Sequence, residues 1–123
     1  MLLVEDNPVN QAVASRLLAK RGVACDIAEN GQVALDRAAA KSYDVIFMDC
    51  QMPLVDGYEA TRAIRRREAS SGGRTPIIAM TANAMAGDRE RCLDCGMDDY
   101  ISKPLSVARL QTVLEAWLPE HPA

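Results

Sequence analysis

In this 123-residue sequence, four apolar runs are each followed by an acidic, hydroxyl or amino side chain. Glu5 and Asp6 come after the first run and Asp49 after another, whereas Thr81 and Lys103 come after two later runs. Three carboxylates in one crevice would repel one another, and a hard cation such as Mg²⁺ offsets that repulsion while also pairing with phosphate. An ammonium group and a hydroxyl can bind phosphoryl oxygens. The set therefore predicts in-line phosphoryl transfer to an aspartate.

Taken one at a time, these residues have ordinary structural explanations. An aspartate at the end of a strand is usually a turn or cap residue, and a single threonine or lysine is equally uninformative. The combination is more specific, because the polar residues recur in register with the ends of the predicted strands. Ligands of parallel sheets bind beyond the carboxyl ends of the strands, which is where these side chains would meet.

Strand and helix patterns alternate along the whole chain. The run at 44–48 is apolar after its first residue, which is typical of a parallel strand buried on both faces. The predicted strands cover 2–4, 23–28, 44–48, 76–80 and 100–102. The predicted helices begin at Asn7-Pro8, at Asn30, at the capping-box sequence 56–59, at 84 and at Ser106, and the first ends at Gly22 and the last three near 67, 95 and 118. The sequence 70–73 predicts a flexible loop.

Five repeats of a strand followed by a helix predict one α/β domain over residues 1–123. Its expected architecture is a doubly wound, flavodoxin-like (βα)5 fold with a parallel five-stranded sheet in the order 2-1-3-4-5. In that order the first and third strands are neighbours, so Glu5, Asp6 and Asp49 would share one crevice. The chain has the size of a single domain, and no second domain is predicted.

Composition and charge exclude several classes of function. The net charge is −3, from 14 basic and 17 acidic residues, and aromatic residues make up 4%. A nucleic-acid-binding domain would usually be basic, and base stacking needs more aromatic residues. No apolar run approaches about 18 residues, and the N-terminus becomes acidic too early for a signal peptide. We therefore expect no nucleic-acid partner, no direct membrane contact and a cytoplasmic location.

Four cysteines could form a disulfide framework only in a secreted setting, which nothing else in the sequence suggests. Cys92 and Cys95 form a C-x-x-C pair at the predicted end of a helix, with Gly96 as the stop. Redox pairs of this kind usually open a helix, where the helix dipole lowers the thiol pKa. Ordinary packing is therefore favoured over a redox or metal role.

At the residues with predicted chemistry, the sequence resembles the receiver domain of two-component response regulators. The resemblance covers essentially the whole chain. Its motifs are LLVEDN, DVIFMDCQMPLVDG, PIIAMTANA and DDYISKP, in the expected order and strand context. It implies a domain that takes a phosphoryl group from a phosphohistidine, later hydrolyses the aspartyl phosphate, and turns over no external substrate.

The resemblance also implies a role for each site residue. Asp49 would be the phospho-acceptor and would contact Mg²⁺. Asp6 would bind the metal directly, and Gln51 would bind it through its backbone carbonyl. Glu5 would act through a water molecule or through contact with the residues that bind the metal.

Four further positions would recognise the phosphoryl group or transmit its presence. Thr81 would bond to the group and move toward it, and Lys103 would pair with it. Tyr100 would be an aromatic rotamer switch coupled to Thr81. The bond before Pro104 would be cis. Phosphorylation would thereby shift a two-state population.

The sequences EDNPVNQ and TANA resemble the receivers of hybrid sensor kinases, so we expect a domain excised from a longer protein. The implied partner is a histidine-phosphotransfer domain or a kinase dimerisation domain, and a homodimer could form on phosphorylation. A stand-alone receiver and the regulatory domain of a transcription factor are alternatives. A haloacid-dehalogenase-like phosphatase is a remote one, because that class needs a second aspartate where Gln51 stands.

Two surfaces could contact a partner. The first helix and the loop after the fifth strand are the expected docking region, with Val9, Val13 and Leu17 as candidates, although packing against the sheet is the favoured explanation for most of these residues. A basic cluster in the third helix consists of Arg62, Arg65, Arg66 and Arg67. A solvated helix end is the favoured explanation for this cluster.

Overall fold

A computed structural model describes residues 1–20, 22, 25–41, 43–50, 57–72, 74–81, 86–102 and 107–117. Strands and helices alternate throughout these residues. The strands are β1 Leu2–Val4, β2 Asp26–Ala28, β3 Ile46–Asp49, β4 Ile77–Thr81 and β5 Asp99–Ser102. The helices are α1 Pro8–Ala19, α2 Gly31–Ala40, α3 Gly57–Ser71, α4 Ala86–Cys95 and α5 Val107–Trp117.

The strands form one parallel sheet in the order β2-β1-β3-β4-β5, which confirms the predicted fold class. In the register of β1 and β3, Val4 lies opposite Met48, so β3 extends one residue, Asp49, past the end of β1. In the register of β3 and β4, Asp49 lies opposite Met80. The polar residues that follow these strands are therefore brought to one edge of the sheet.

Alternate residues of the strands enter two separate cores, because successive side chains of a strand point to opposite faces. Ile46 and Met48 pack on one face with residues of α2, α3 and α4. Val45 and Phe47 pack on the other face with residues of α1 and α5. Burial on both faces is the physical reason for the continuously apolar sequence of β3.

Helix caps follow the chemistry of the sequence. The Asn7 side chain accepts hydrogen bonds from the backbone N–H groups of Val9 and Asn10, and Pro8 occupies the first helical position of α1. The Asn30 side chain accepts from Val33 N at the start of α2. Gly96 ends α4 with a φ of 112°, which favours glycine.

Helix α3 is longer than predicted. Ser70 and Ser71 belong to the helix rather than to a flexible loop, and the helix ends at Gly72, whose φ is 80°. The Gly72 N–H donates to the Glu68 carbonyl, which closes the last turn. Serine is an acceptable helical residue, so the glycine and not the serine pair determines the end.

The remaining elements differ from the predictions at their ends. Within the described residues β2 covers only its predicted second half, β3 and β4 each run one residue further to include Asp49 and Thr81, and β5 begins one residue earlier. None of the described helices is both long enough and apolar enough to cross a lipid bilayer.

Candidate functional site

Three carboxylates meet at the carboxyl edge of the sheet. One oxygen atom from each of Glu5, Asp6 and Asp49 lies within 4.8 Å of the others. Glu5 and Asp6 follow β1, and Asp49 is the last residue of β3, the neighbouring strand. The spacing of the sequence and the strand order together predicted this cluster, and the structure brings all three residues together.

The three carboxylates differ in their exposure to solvent. The exposed fraction is 2% for Glu5 and 3% for Asp49, whereas Asp6 is exposed. Two hydrogen bonds between side chains and the backbone hold Glu5 in place. Asp6 N donates to Glu5 Oε2 over 3.1 Å, and Gln11 Nε2 of α1 donates to Glu5 O over 2.6 Å. Three clustered carboxylates form a hard oxygen donor set, which suits a divalent cation such as Mg²⁺. The residues present therefore fit a metal of this kind.

Thr81 ends the next strand beyond Asp49. The Cys50 N–H donates to the Met80 carbonyl over 3.0 Å, which continues the β3–β4 ladder past Asp49. Thr81 is buried beside this connection. Thr81 and Asp49 therefore lie at the ends of two neighbouring strands, β4 and β3.

Tyr100 shares a face of the sheet with Thr81. In the register of β4 and β5, Tyr100 lies opposite Ala79, and Thr81 lies opposite Ser102. Ala79 and Tyr100 pack in the same core, and Thr81 is two residues beyond Ala79 on the same strand face. Arg109 of α5 donates to Tyr100 O over 3.1 Å, so the half-buried tyrosine also contacts α5.

Several predicted site residues lie outside the described residues. These are Gln51, Lys103 and Pro104. Lys103 follows Ser102, the last residue of β5, directly in the sequence. Their roles stay predictions.

The cysteines are packing residues in this structure. All four are free thiols, and Cys50, Cys92 and Cys95 are buried. Burial raises the pKa of the Cys50 and Cys95 thiols, which keeps these groups protonated and unreactive. Cys92 and Cys95 lie in the last turn of α4, away from its N-terminus, as the sequence predicted.

The candidate docking residues of α1 divide into two kinds. Val9 is 69% exposed and Val13 46% exposed, one helical turn apart on the same face. Leu17 is half-buried and packs against the core formed with α5. The first two are available to a partner, and packing accounts for the third.

The basic cluster of α3 also divides. Arg62, Arg66 and Arg67 are exposed, which agrees with a solvated surface. For Arg65 that expectation is wrong, because its side chain is only 14% exposed and forms ion pairs with Glu68 and Asp98. The extension of α3 to Ser71 puts Arg65 in the body of the helix, where it faces β4 and the start of β5.

The sequence analysis missed Tyr58 and Arg91. The guanidinium carbon of Arg91 lies 4.0 Å from the centroid of the Tyr58 ring, and Tyr58 packs in one buried cluster with Cys50, whose thiol interacts with the Tyr58 hydroxyl. Burial raises the pKa of Tyr58, so its hydroxyl remains a donor. The only signal in the sequence was a tyrosine in the first turn of a helix, which is not distinctive.

The chain is similar to known proteins along most of its length. Residues 1–115 match a family model described as a response regulator receiver domain. The chain is 49% identical to Hybrid signal transduction histidine kinase I of Dictyostelium discoideum, over 98% of this chain and 7% of that kinase. The chain therefore spans a small part of this curated relative.

Two solved structures illustrate the likeness. The receiver domain of a Pseudomonas aeruginosa sensor histidine kinase, with a magnesium ion in its active-site cleft, is 50% identical with a TM-score of 0.85, and the match covers 94% of this chain and 93% of that one. The receiver domain of a Saccharomyces cerevisiae response regulator, co-crystallised with a histidine phosphotransfer protein, is 33% identical with a TM-score of 0.90. That match covers 94% of this chain and 86% of the other.

Proposed function

We propose a phosphorelay function from one premise: this chain belongs to the response regulator receiver domain family. In the proposed reaction the carboxylate of Asp49 attacks the phosphorus of a phosphohistidine. A P–O bond forms, the P–N bond breaks, and the histidine nitrogen keeps the electron pair of the broken bond. Water later cleaves the aspartyl phosphate, which releases inorganic phosphate and restores the carboxylate.

The observation that carries this proposal is the convergence of Glu5, Asp6 and Asp49 within 4.8 Å at the carboxyl edge of a parallel sheet. Asp6 and Asp49 would hold Mg²⁺, with Glu5 behind them and the Gln51 carbonyl as a further ligand. The metal would supply charge neutralisation for the transferred group. The magnesium ion in the cleft of the P. aeruginosa receiver supports this assignment.

We further propose that Thr81, Lys103 and Tyr100 respond to the phosphoryl group. A phosphorylated Asp49 carries added charge and acceptor oxygens, which favour a hydroxyl donor and an ammonium group nearby. Thr81 on β4 would move toward the group, and Tyr100, on the same face of β5, would follow. Lys103 would pair with the phosphoryl group, and the bond before Pro104 would be cis.

The first test is intact mass after incubation with Mg²⁺ and acetyl phosphate. We expect the wild type to gain one phosphoryl group, and we expect Asp49→Asn to gain none. Omission of Mg²⁺ should also abolish the gain. A wild type that accepts no phosphoryl group from acetyl phosphate or from a phosphohistidine protein would contradict the proposal.

The proposed partner is the four-helix bundle of a histidine-phosphotransfer domain or the dimerisation domain of a kinase. Val9 and Val13 give α1 an exposed apolar strip close to the carboxylates, since α1 begins two residues after Asp6. The co-crystal of the related yeast receiver with a histidine phosphotransfer protein supports this choice. Phosphoryl transfer from a protein donor would require such a surface to dock the donor histidine.

A charge on the strip separates docking from chemistry. Val13→Asp should slow transfer from a phosphotransfer protein, because it buries a carboxylate in the interface. The same variant should accept phosphate from acetyl phosphate at the wild-type rate. If Val13→Asp slowed phosphoryl transfer equally from the phosphotransfer protein and from acetyl phosphate, α1 would not be the docking element.

We also propose that the domain works in the cytoplasm as part of a longer hybrid kinase. None of the four cysteines forms a disulfide, which favours a reducing compartment, and the similarity to long hybrid kinases favours a longer protein. Detection of the native polypeptide by its mass in fractionated cells would test both statements. Homodimer formation on phosphorylation is a separate prediction, which size-exclusion chromatography with and without phosphoryl donor would test.

A further inference from the structure

Side chains from three elements meet behind the proposed acceptor. Tyr58 lies in the first turn of α3, Cys50 follows Asp49 directly, and Arg91 and Cys92 lie in α4. The Sγ atoms of Cys50 and Cys92 are 3.8 Å apart. The Arg91 guanidinium carbon is 4.0 Å from the centroid of the Tyr58 ring. We call these four residues the α4 seat.

Three of the four residues of the α4 seat are buried, whereas Arg91 is exposed and covers the Tyr58 ring from the surface. Tyr58 is 6% exposed, and both Cys50 and Cys92 are buried. Tyr58 packs in one buried cluster with Cys50, and its hydroxyl interacts with the Cys50 thiol, while its ring face supports the Arg91 cation. One tyrosine thus contacts both the residue that follows Asp49 and the helix α4.

Helix α4 is joined to the proposed phosphoryl site by the chain as well. It begins at Ala86, five residues after Thr81. A movement of Thr81 toward a phosphoryl group would pull on the start of α4. Arg91 and Cys92 lie further along the same helix. Their contacts join α4 to Tyr58 of α3 and to Cys50, directly after β3, and would therefore resist that displacement.

We propose that the α4 seat, with Tyr58 as its central positioning residue, stabilises the unphosphorylated arrangement of α4 and so sets how readily the site accepts a phosphoryl group. This inference rests on the proposed phosphorelay function and adds its regulation. A weaker α4 seat lowers the free energy needed to reach the arrangement of α4 in which the site accepts a phosphoryl group. The fraction of molecules in that arrangement then rises, and the apparent affinity for a phosphoryl mimic rises by the same factor.

The test is titration with beryllofluoride at fixed saturating Mg²⁺, followed by the ¹⁹F NMR signal of the bound species. Arg91→Met keeps an apolar stem over the Tyr58 ring and removes the cation, and it should tighten binding by about two- to fivefold. Tyr58→Phe keeps the ring and removes the hydroxyl that holds Cys50, and it should tighten binding by about fivefold. Arg91→Lys keeps the cation and should stay near the wild-type value.

Arg66→Met is the matched control, because Arg66 is an exposed arginine of α3 and lies outside the α4 seat. It should leave beryllofluoride affinity unchanged. A role in folding alone would lower the urea midpoint of Arg91→Met and Tyr58→Phe without changing affinity, because affinity compares two folded states. That outcome, or weaker binding in both variants, would overturn the proposal while the phosphorelay function stands. A wild type that does not bind beryllofluoride at Asp49 would overturn both.

Discussion

The backbone carbonyl of Asp49 occupies the space that a side chain on Gly57 would need. A Cβ atom added to Gly57 would overlap the Asp49 carbonyl oxygen and come within 3.0 Å of Cys50 Cα. Gly57 is the first residue of α3, so the glycine lets this helix start directly against the end of β3. The position of the acceptor backbone therefore depends on the absence of a side chain across from it.

Gly57→Ala should destabilise the chain and impair the site together. The added methyl group meets backbone and cannot be accommodated by a rotamer change, so we expect a loss of about 1–3 kcal/mol in the free energy of unfolding. Urea unfolding measures the loss, and the rate of phosphoryl uptake from acetyl phosphate measures the effect on the site. Gly22→Ala is the control, because Gly22 has a φ of 73° and open space around it. It should cost stability and leave the uptake rate unchanged; equal rates in both variants would argue against the proposed dependence on Gly57.

Mg²⁺ should stabilise the wild type through the carboxylate cluster. At a Mg²⁺ concentration tenfold above Kd, the free energy of unfolding should rise by about 1.4 kcal/mol. Asp6→Asn should lose most of that gain, since a ligand is removed. Without metal, the same variant should be at least as stable as the wild type, because repulsion between the three carboxylates is relieved.

The control for this experiment is Asp44→Asn, which removes an exposed carboxylate outside the cluster. It should keep the full response of the urea midpoint to Mg²⁺. An Asp6→Asn chain that responds to Mg²⁺ like the wild type would show that Asp6 is not a ligand.

The carboxylate cluster could be predicted from the sequence because it depends on strand ends alone. Once β1 and β3 are identified as neighbouring parallel strands, their carboxyl ends share one edge, and the residues that follow them must meet. No detail of side-chain packing enters that argument. The alternation of strands and helices correctly predicted the order of the strands, and the capping chemistry of asparagine correctly predicted the caps at Asn7 and Asn30.

The α4 seat and the role of Arg65 could not be predicted in this way. Tyr58 and Arg91 are 33 positions apart, and their contact depends on how α3 packs beside α4. Arg65 reads as one of several adjacent arginines, and only the true end of α3 and its orientation toward Asp98 distinguish it. Contacts between helices depend on packing distances and angles that hydrophobic periodicity does not encode.

Arg65 joins three segments at the end of the sheet opposite the carboxylates. Its guanidinium group donates to the carbonyls of Gly96 and Thr75 and to the carboxylates of Glu68 and Asp98. Arg65→Met should cost about 3–5 kcal/mol of unfolding free energy, because it leaves two partly buried carboxylates without this partner. Arg65→Lys should recover only part of the loss, since an ammonium group cannot reproduce the planar fork.

Urea unfolding provides the measurement, and Arg66→Met provides the comparison. Arg66 is exposed, so its substitution should change stability by no more than about 0.5 kcal/mol. Similar unfolding midpoints for Arg65→Met and Arg66→Met would refute the assignment of Arg65 as a structural residue.

The hydrogen bond between Tyr43 and Asp26 should make the free energy of unfolding depend on pH in the acid range. Tyr43 Oη donates to Asp26 Oδ2 over 2.8 Å, and this hydrogen bond, followed by that of Lys41, lowers the pKa of Asp26. A carboxyl group with a lowered folded-state pKa contributes stability above its unfolded pKa of about 3.9 and loses it as the pH falls through the folded value. Tyr43→Phe removes the largest cause of the shift, so the stability gap between wild type and variant should narrow as the pH falls below about 4.

Urea midpoints of both chains between pH 6 and pH 3 measure that gap. Asp26→Asn supplies the control background, because an amide does not titrate in this range. In that background Tyr43→Phe should change stability by an amount independent of pH. A gap that stays constant from pH 6 to pH 3 in the otherwise wild-type chain would mean that the Tyr43 hydroxyl does not favour the ionised form of Asp26.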